Sequence, residues 1–371
     1  LPTAESLPTI EKMFDPTSKS HAPAQGKLAA VANIHRWHQH LKRMHERDAY
    51  ALANPAPGDS AVRHREASRF IAVSQPYAGA WHAVAPDSRG ASKLATPLWQ
   101  NSMQRCLGLH LAAAKPALLE LAELGETVDF FGDAQINAAN ANRRHNGGLR
   151  GWYNAIAAVT TTQIVLGDKD NRAKTKQFND YNDGHVVDIA EIAAGDNGED
   201  VCNEFKCFNT CKKSRTSGQR GAPASVGHIY GFGNTEEQCR LDNLGCKPRG
   251  RAADGSFDHK TGKGHVKGVK GCYHDALYTK RNRAEILLHE SFGGGFSPPS
   301  AHKIRRLGRA AKNGTDRTPY RGGKAVSYVS FHTRHIAMAM VKADAWTLHH
   351  ATHDARARLC TRRAAAPAAH P

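Results

Sequence analysis

The stretch that most restricts what this chain can become is residues 184–208, GHVVDIAEIAAGDNGEDVCNEFKCF. Two apolar runs, VVDIAEI and VCNEFKCF, flank the turn-rich AAGDNGED, which predicts a hairpin of two strands. Val186, Val187, Ile189, Phe205 and Phe208 mark these as strands of a sheet core. Yet Asp188 sits in the middle of the first run, and Glu204 and Lys206 in the second. Burying an unpaired charge costs several kcal/mol or shifts its pKa, so the fold must supply partners. With the turn centred near residue 196, antiparallel pairing sets Asp188 opposite Glu204. The side-chain period of two puts Lys206 on the face of Glu204.

Two opposed carboxylates repel unless something positive lies between them. A hard divalent cation removes that repulsion, and Mg²⁺ takes one or two carboxylates together with phosphate oxygens. A lysine beside them can orient or deprotonate a water and steady developing negative charge. Asp188, Glu204 and Lys206 are thus the set a phosphodiester hydrolase requires, and the simpler alternative is a surface hairpin with a solvated charge ladder.

The charge balance points to the same partner class. The 371 residues carry a net charge of +17, with a pI near 9.6, which favours a polyanion such as nucleic acid or an acidic membrane surface. From Phe205 to Arg283 there are 16 Lys and Arg against 6 Asp and Glu, a net of +10, so the excess lies just behind the hairpin. No run of 18 apolar residues spans a bilayer, and no secretory pattern opens the sequence. Eight cysteines are too sparse for a disulfide scaffold, so they read as reduced thiols in an intracellular protein, cytosolic or nuclear. Six of them, between Cys202 and Cys272, form no C-x₂-C pair, which disfavours a zinc site.

Along the chain, 1–60 read as a mobile and helical N-terminal segment with a linker, NPAPGDS. The helix there, 28–50, is basic and carries His35, His38, His40 and His45, read as a solvated face. Residues 61–140 read as a helical region, with helices over 61–72 and 95–124, the latter broken near Pro116. The next unit, 141–350, starts with a helix over 141–159 weakened by Gly147 and Gly148, then a short strand, TTQIVLG, then the hairpin. A basic insertion, 212–270, follows. Residues 272–284 read as a basic helix, EILLHES as a strand, and 300–312 and 326–359 as helices. Residues 351–371 read as a disordered tail.

Asp188, fifteen residues, then Glu204-Phe205-Lys206 resembles the PD-(D/E)xK pattern of restriction-endonuclease-like nucleases, with Val187 where a proline is usual. RRHNGGLRGWYNAI (143–156) resembles the Arg-His-Asn helix near the C-terminal endonuclease of non-LTR retrotransposon polyproteins, and DFFGDAQ resembles the Gly-Asp-His stretch before it. AGAWHAVAP and PLWQNSMQRCLGLHL resemble the segment linking reverse transcriptase to nuclease, and EILLHESFGGGFS a late strand and Gly-rich turn of related algal and protist sequences. The zinc knuckle usual ahead of Arg-His-Asn is missing here.

The resemblance implies an α/β fold with a restriction-endonuclease-like core, a small mixed β-sheet flanked by helices, behind an α-helical N-terminal region. It implies a metal-dependent DNA endonuclease in which Asp188, Glu204 and the Phe205 carbonyl hold Mg²⁺ or Mn²⁺ and Lys206 serves the water. His145, Lys212, Lys213, Arg215, Arg220, Lys280, Arg281 and Arg283 are the expected nucleic-acid contacts, with His145 structural or phosphate-contacting and not a metal ligand. The expected partner is DNA, with RNA the alternative, no membrane, and a homodimer allowed. The rival function is a non-catalytic nucleic-acid-binding module derived from such an element.

Overall fold

A computed structural model describes residues 24–54, 65–84, 93–123, 129–133, 136, 142–167, 187–208, 280–290, 292–312, 325 and 327–365. The N-terminal helices are α1 (Ala24–Ala53), α2 (Arg65–Val73), α3 (Thr96–Leu107) and α4 (Lys115–Glu123), with a 3₁₀ turn at Ala80–Ala83. Then come α5 (Asn142–Val159), β1 (Ile164–Leu166), β2 (Ile189–Glu191), β3 (Val201–Phe208), β4 (Arg283–Glu290), α6 (Pro298–Ala310) and α7 (Tyr328–Ala365). This is an α/β architecture with a small mixed sheet.

The helix ends follow local chemistry. Pro97 opens α3, and Gly108 closes it at φ +68, where its N–H reaches the Arg105 carbonyl. The expected break near Pro116 therefore falls at Gly108, and Pro116 itself lies in the first turn of α4. Ser297 caps α6 by accepting from the Ser300 N–H, ahead of Pro298.

The described strands lie in the order β1-β2-β3-β4. The first three form an antiparallel meander, and β4 runs parallel to β3 over its whole length, from Val201 opposite Arg283 to Phe208 opposite Glu290. One face, with Ile189, Phe205 and Leu287, packs on Trp152 and Ile156 of α5, Ile304 and Leu307 of α6, and Ile336 and Met340 of α7. A second cluster joins Leu111, Leu118 and Ile136 to Leu348 of α7. Helix α7 thus packs on both the N-terminal helices and the helices of the sheet, so the expected boundary near residue 140 does not separate two cores.

Three expectations are corrected. Residues 280–284 are not the end of a helix: Arg281 turns the chain at φ +56, and Arg283 and Ala284 join β4, because pairing with Val201 and Cys202 satisfies their backbone. Residues 351–365 are not a disordered tail but the last turns of α7, held by buried Thr352 and Leu359 and by Arg356, whose Nη2 lies 2.7 Å from Glu120 Oε1. Gly147 and Gly148 do not weaken α5; they let it approach its neighbours. A Cβ on Gly147 would sit 3.3 Å from the Ala339 carbonyl, and one on Gly148 would run into the Phe205 ring. The expected mobile start (1–23), linker (55–60) and basic insertion (212–270) lie outside the described residues.

Candidate active site

The β2–β3 turn is built from its own polar groups. Asp200 Oδ1 accepts the Ala193 N–H at 2.9 Å, the Gly195 N–H donates to the Glu199 carbonyl at 2.8 Å, and Gly198 takes φ +78. The resulting register pairs Ile189 with Asn203, Ala190 with Cys202 and Glu191 with Val201. Its continuation sets Asp188 opposite Glu204, the pairing expected from a turn centred at 196.

Asp188 stands at the bend just before β2, its backbone carbonyl accepting the Gly167 N–H at 2.8 Å. Its Oδ2 accepts the Phe205 N–H at 2.8 Å, so a side chain takes the place of a strand partner where β2 stops. In a strand the N–H and C=O of one residue share an edge, so the Phe205 carbonyl lies on the Asp188 side of β3. The same Oδ2 lies 3.1 Å from His145 Nε2.

Glu204 is ion-paired with Lys206, two positions on along the same strand face. The Glu204 side chain is 3% exposed and that of Lys206 30%, so the carboxylate is buried under an ammonium that reaches solvent. Each carboxylate of the candidate metal pair is therefore met by a cationic or protonatable side chain.

Helix α5 places His145. The imidazole meets the Phe205 ring edge-on at 5.5 Å, on the helix that Gly148 lets settle against that ring. Burial works against its charged form, but the Asp188 hydrogen bond and charge, with the Asn146 side chain, outweigh it and raise its pKa. Lys206 opposes that rise, so the His145–Asp188 and Lys206–Glu204 pairs share one field. His145 was expected as a structural or phosphate-contacting residue; its Nε2 is engaged by Asp188 instead of pointing free toward a phosphate.

The next residue back, Arg144, belongs to a buried ladder. Arg144 Nε lies 3.5 Å from Asp344, Arg105 bridges Asp344 at 3.6 Å and Asp133 at 3.2 Å, and Arg65 bridges Asp133 at 3.3 Å and Asp129 at 2.9 Å. Five segments of the chain are tied together by alternating charges, and the ladder ends one residue from His145.

A second buried network lies under the opposite face. Lys303 Nζ donates to Glu191 Oε1 at 2.8 Å, Asn203 Oδ1 at 2.6 Å and Glu285 Oε2 at 2.6 Å. Burial alone would raise the Glu285 pKa, but Lys303 and Arg306 hold it down to about 2. Arg283 also turns to Glu285, at 3.0 Å, beside a groove of about 680 Å³ lined by His302, Lys303 and Arg306. Arg283, expected as a phosphate contact, is thus committed to an internal carboxylate, whereas Lys280 and Arg281 are exposed on the approach to β4. Lys212, Lys213, Arg215 and Arg220 lie outside the described residues.

Sequence reasoning missed the Lys303 network and the arginine ladder. Lys303 had a readable signal: it falls on the apolar stripe of α6 with Ser300, Ile304 and Leu307, and a lysine there needs buried acids. The ladder had none, since its members are scattered from Arg65 to Asp344.

The donor types at the hairpin, the carboxylates of Asp188 and Glu204 and the Phe205 carbonyl, are those that a hard oxygen-seeking cation keeping several waters takes. Among the described residues no three His, Cys, Asp or Glu side chains gather tightly enough to enclose a metal by themselves, so waters or phosphate oxygens would complete the shell. No described helix is long and apolar enough to cross a membrane. Compared with protein-family models, curated proteins and solved structures, the chain has no match.

Proposed function

We propose that this protein is a metal-dependent DNA endonuclease with a restriction-endonuclease-like core, hydrolysing phosphodiester bonds at the β2–β3 hairpin. The observation that carries this reading is the β2–β3 register, Ile189 with Asn203: one step beyond it falls Asp188 across from Glu204, and Lys206 ion-pairs with Glu204. A purely structural hairpin gains nothing from opposing two carboxylates in a sheet core. The mixed sheet, three antiparallel strands and a parallel fourth, is compatible with such a core.

In this reading Asp188, Glu204 and the Phe205 carbonyl hold Mg²⁺ or Mn²⁺. An ion held there would supply Lewis-acid polarisation of a phosphoryl oxygen and a more acidic water. The remaining work is done by side chains in view. The Phe205 N–H fixes the Asp188 carboxylate, and His145 keeps its Oδ2 from rotating away. Lys206 Nζ leaves Glu204 and turns to the attacking water, holding the charge that develops there. The net charge of +17 supports a nucleic-acid substrate.

A second reading, the non-catalytic binding module, is favoured by one observation: without an ion, Asp188 is already hydrogen-bonded to His145 and Glu204 already ion-paired with Lys206. The test is a cleavage assay on linear and circular DNA with Mg²⁺, Mn²⁺ or EDTA, using wild type, Lys206→Ala, Asp188→Asn and Glu204→Gln. The nuclease reading expects metal-dependent cutting by wild type, loss of cutting in all three variants, and DNA binding by all four. Wild type that binds DNA and cuts with neither metal establishes the binding module. Equal cutting by wild type and variants places the activity elsewhere.

A further inference from the structure

Helix α1 has two faces with different fates. Trp37, Leu41 and Met44 pack on Ala67 and Ile71 of α2. Asp48 fixes the orientation by accepting the Glu66 N–H at 2.8 Å and the Ala67 N–H at 3.0 Å, capping α2 from outside its own sequence. A flank about a quarter-turn from that contact is exposed and carries Arg36, His40, Arg43 and Arg47. At about 100° per residue these four fall within about 60° of arc, one above another. Lys42 and Glu46 lie outside this arc, and Tyr50, 71% exposed, stands at its end.

The cations of the strip are largely uncommitted. Arg43 has no carboxylate partner among the described residues, Arg36 touches the Asn33 side chain at 3.4 Å, and Arg47 lies 3.7 Å from Glu66 with its side chain 58% exposed. This contrasts with Arg65, Arg105 and Arg144, which are consumed by buried aspartates.

We infer that the exposed face of α1 is a second nucleic-acid contact, a strip that grips the phosphate backbone of duplex DNA away from the hairpin. The choice of DNA as partner rests on the function proposed above; the strip itself rests on charge complementarity. The rise of the helix spaces Arg43 and Arg47 about 6 Å apart and Arg36 and Arg43 about 10.5 Å apart, a scale that lets each reach a different phosphate. Such contacts position the protein and carry no base preference. An acidic membrane is the poorer fit. A helix that lies in a bilayer surface needs a free apolar face, and the apolar face of α1 is spent on α2.

The experiment is the full chain with Arg36→Ala, Arg43→Ala and Arg47→Ala combined, compared with wild type for binding a short DNA duplex in EDTA over a salt series, with cleavage measured in parallel. Alanine keeps the helix, which circular dichroism verifies. The expected result is a log–log salt slope smaller by about 2.7, about 0.9 for each lost contact, and affinity at least tenfold weaker at low salt. Should the triple variant fail to fold, Arg43→Ala alone is expected to remove about 0.9 from the slope. A slope unchanged in the folded variant overturns the strip. So does unchanged DNA binding combined with lost adhesion to anionic vesicles, which makes the face a membrane contact. Wild type that cuts DNA while the variant keeps the full slope discards the strip and leaves the nuclease standing. A reduced slope with no cutting by either protein does the reverse.

Discussion

His145 Nε2 stands 3.1 Å from Asp188 Oδ2, joining a helix to a sheet across 43 positions of sequence. The aspartate raises the His145 pKa against the burial that would lower it. Asp188→Asn removes the charge but keeps the shape, and the His145 pKa is expected to fall. Lys206→Ala is expected to raise it, because the ammonium opposes protonation of the ring. An NMR titration of the His145 ring protons in the three proteins checks both signs, and identical titration curves would discard the pairing.

Gly148→Ala tests the contact that seats α5. The added Cβ meets the Phe205 ring and the Met340 sulfur, both inside the core. Neither has open space to move into, so a loss of about 1–3 kcal/mol is expected in urea unfolding. Asn146→Ala, at an exposed position on the same helix, is the reference and is expected to stay within about 0.5 kcal/mol of wild type.

Lys303→Met probes the buried network. It leaves Glu191 without its cation and Glu285 with only the arginines that approach from solvent. Removing one partner of a buried pair costs about 3–5 kcal/mol. The double change Lys303→Met with Glu191→Gln is expected to recover part of that loss, since the stranded charge is then gone. Chemical denaturation of the single and double variants gives the comparison.

Glu290 is fully buried, neither carboxylate oxygen has a hydrogen-bond partner, and desolvation raises its pKa well above the ordinary 4.5. Below pH 4.5 folded and unfolded chains both carry the proton at this position. As pH rises past that value the unfolded chain ionises freely and the folded chain does not, so the residue costs stability at neutral pH. Glu290→Gln is expected to stabilise the protein at pH 7 by about 1–3 kcal/mol, the gain shrinking toward zero as pH falls to 4.5. Thermal melts of the two proteins between pH 4 and 8 measure it, and a gain that does not change with pH rules the assignment out.

What could be read in advance was local or symmetric. The hairpin register was legible because charge and turn are arranged evenly about residue 196, and β-branched and aromatic flanks mark its strands. The partner of Asp188 was not legible, since His145 lies on a helix seated by Gly147, Gly148 and Gly151 against α7 and Phe205. Gly147 and Gly148 were misread for the same reason: propensity counts their entropy cost, and only the folded neighbours reveal the clearance they supply. The end of α7 looked like a tail because its buried positions are few, Leu348, Thr352 and Leu359 among alanines and arginines. The start of β4 was mistaken for helix because its basic residues face an acid on their own strand, Glu285, which no periodicity announces.

Helix α7 runs 38 residues, about 57 Å at the usual rise, and it forms one wall of the core under the sheet and one wall of the cluster around Leu111. A continuous rod shared by two neighbourhoods makes them a single inheritance. A nick, a recombination breakpoint or an expression boundary placed between the N-terminal helices and the hairpin leaves each half with an open apolar seam. The stretch that must stay together for the hairpin to keep its support therefore runs from the cluster around Leu111 to the buried end of α7 at Leu359.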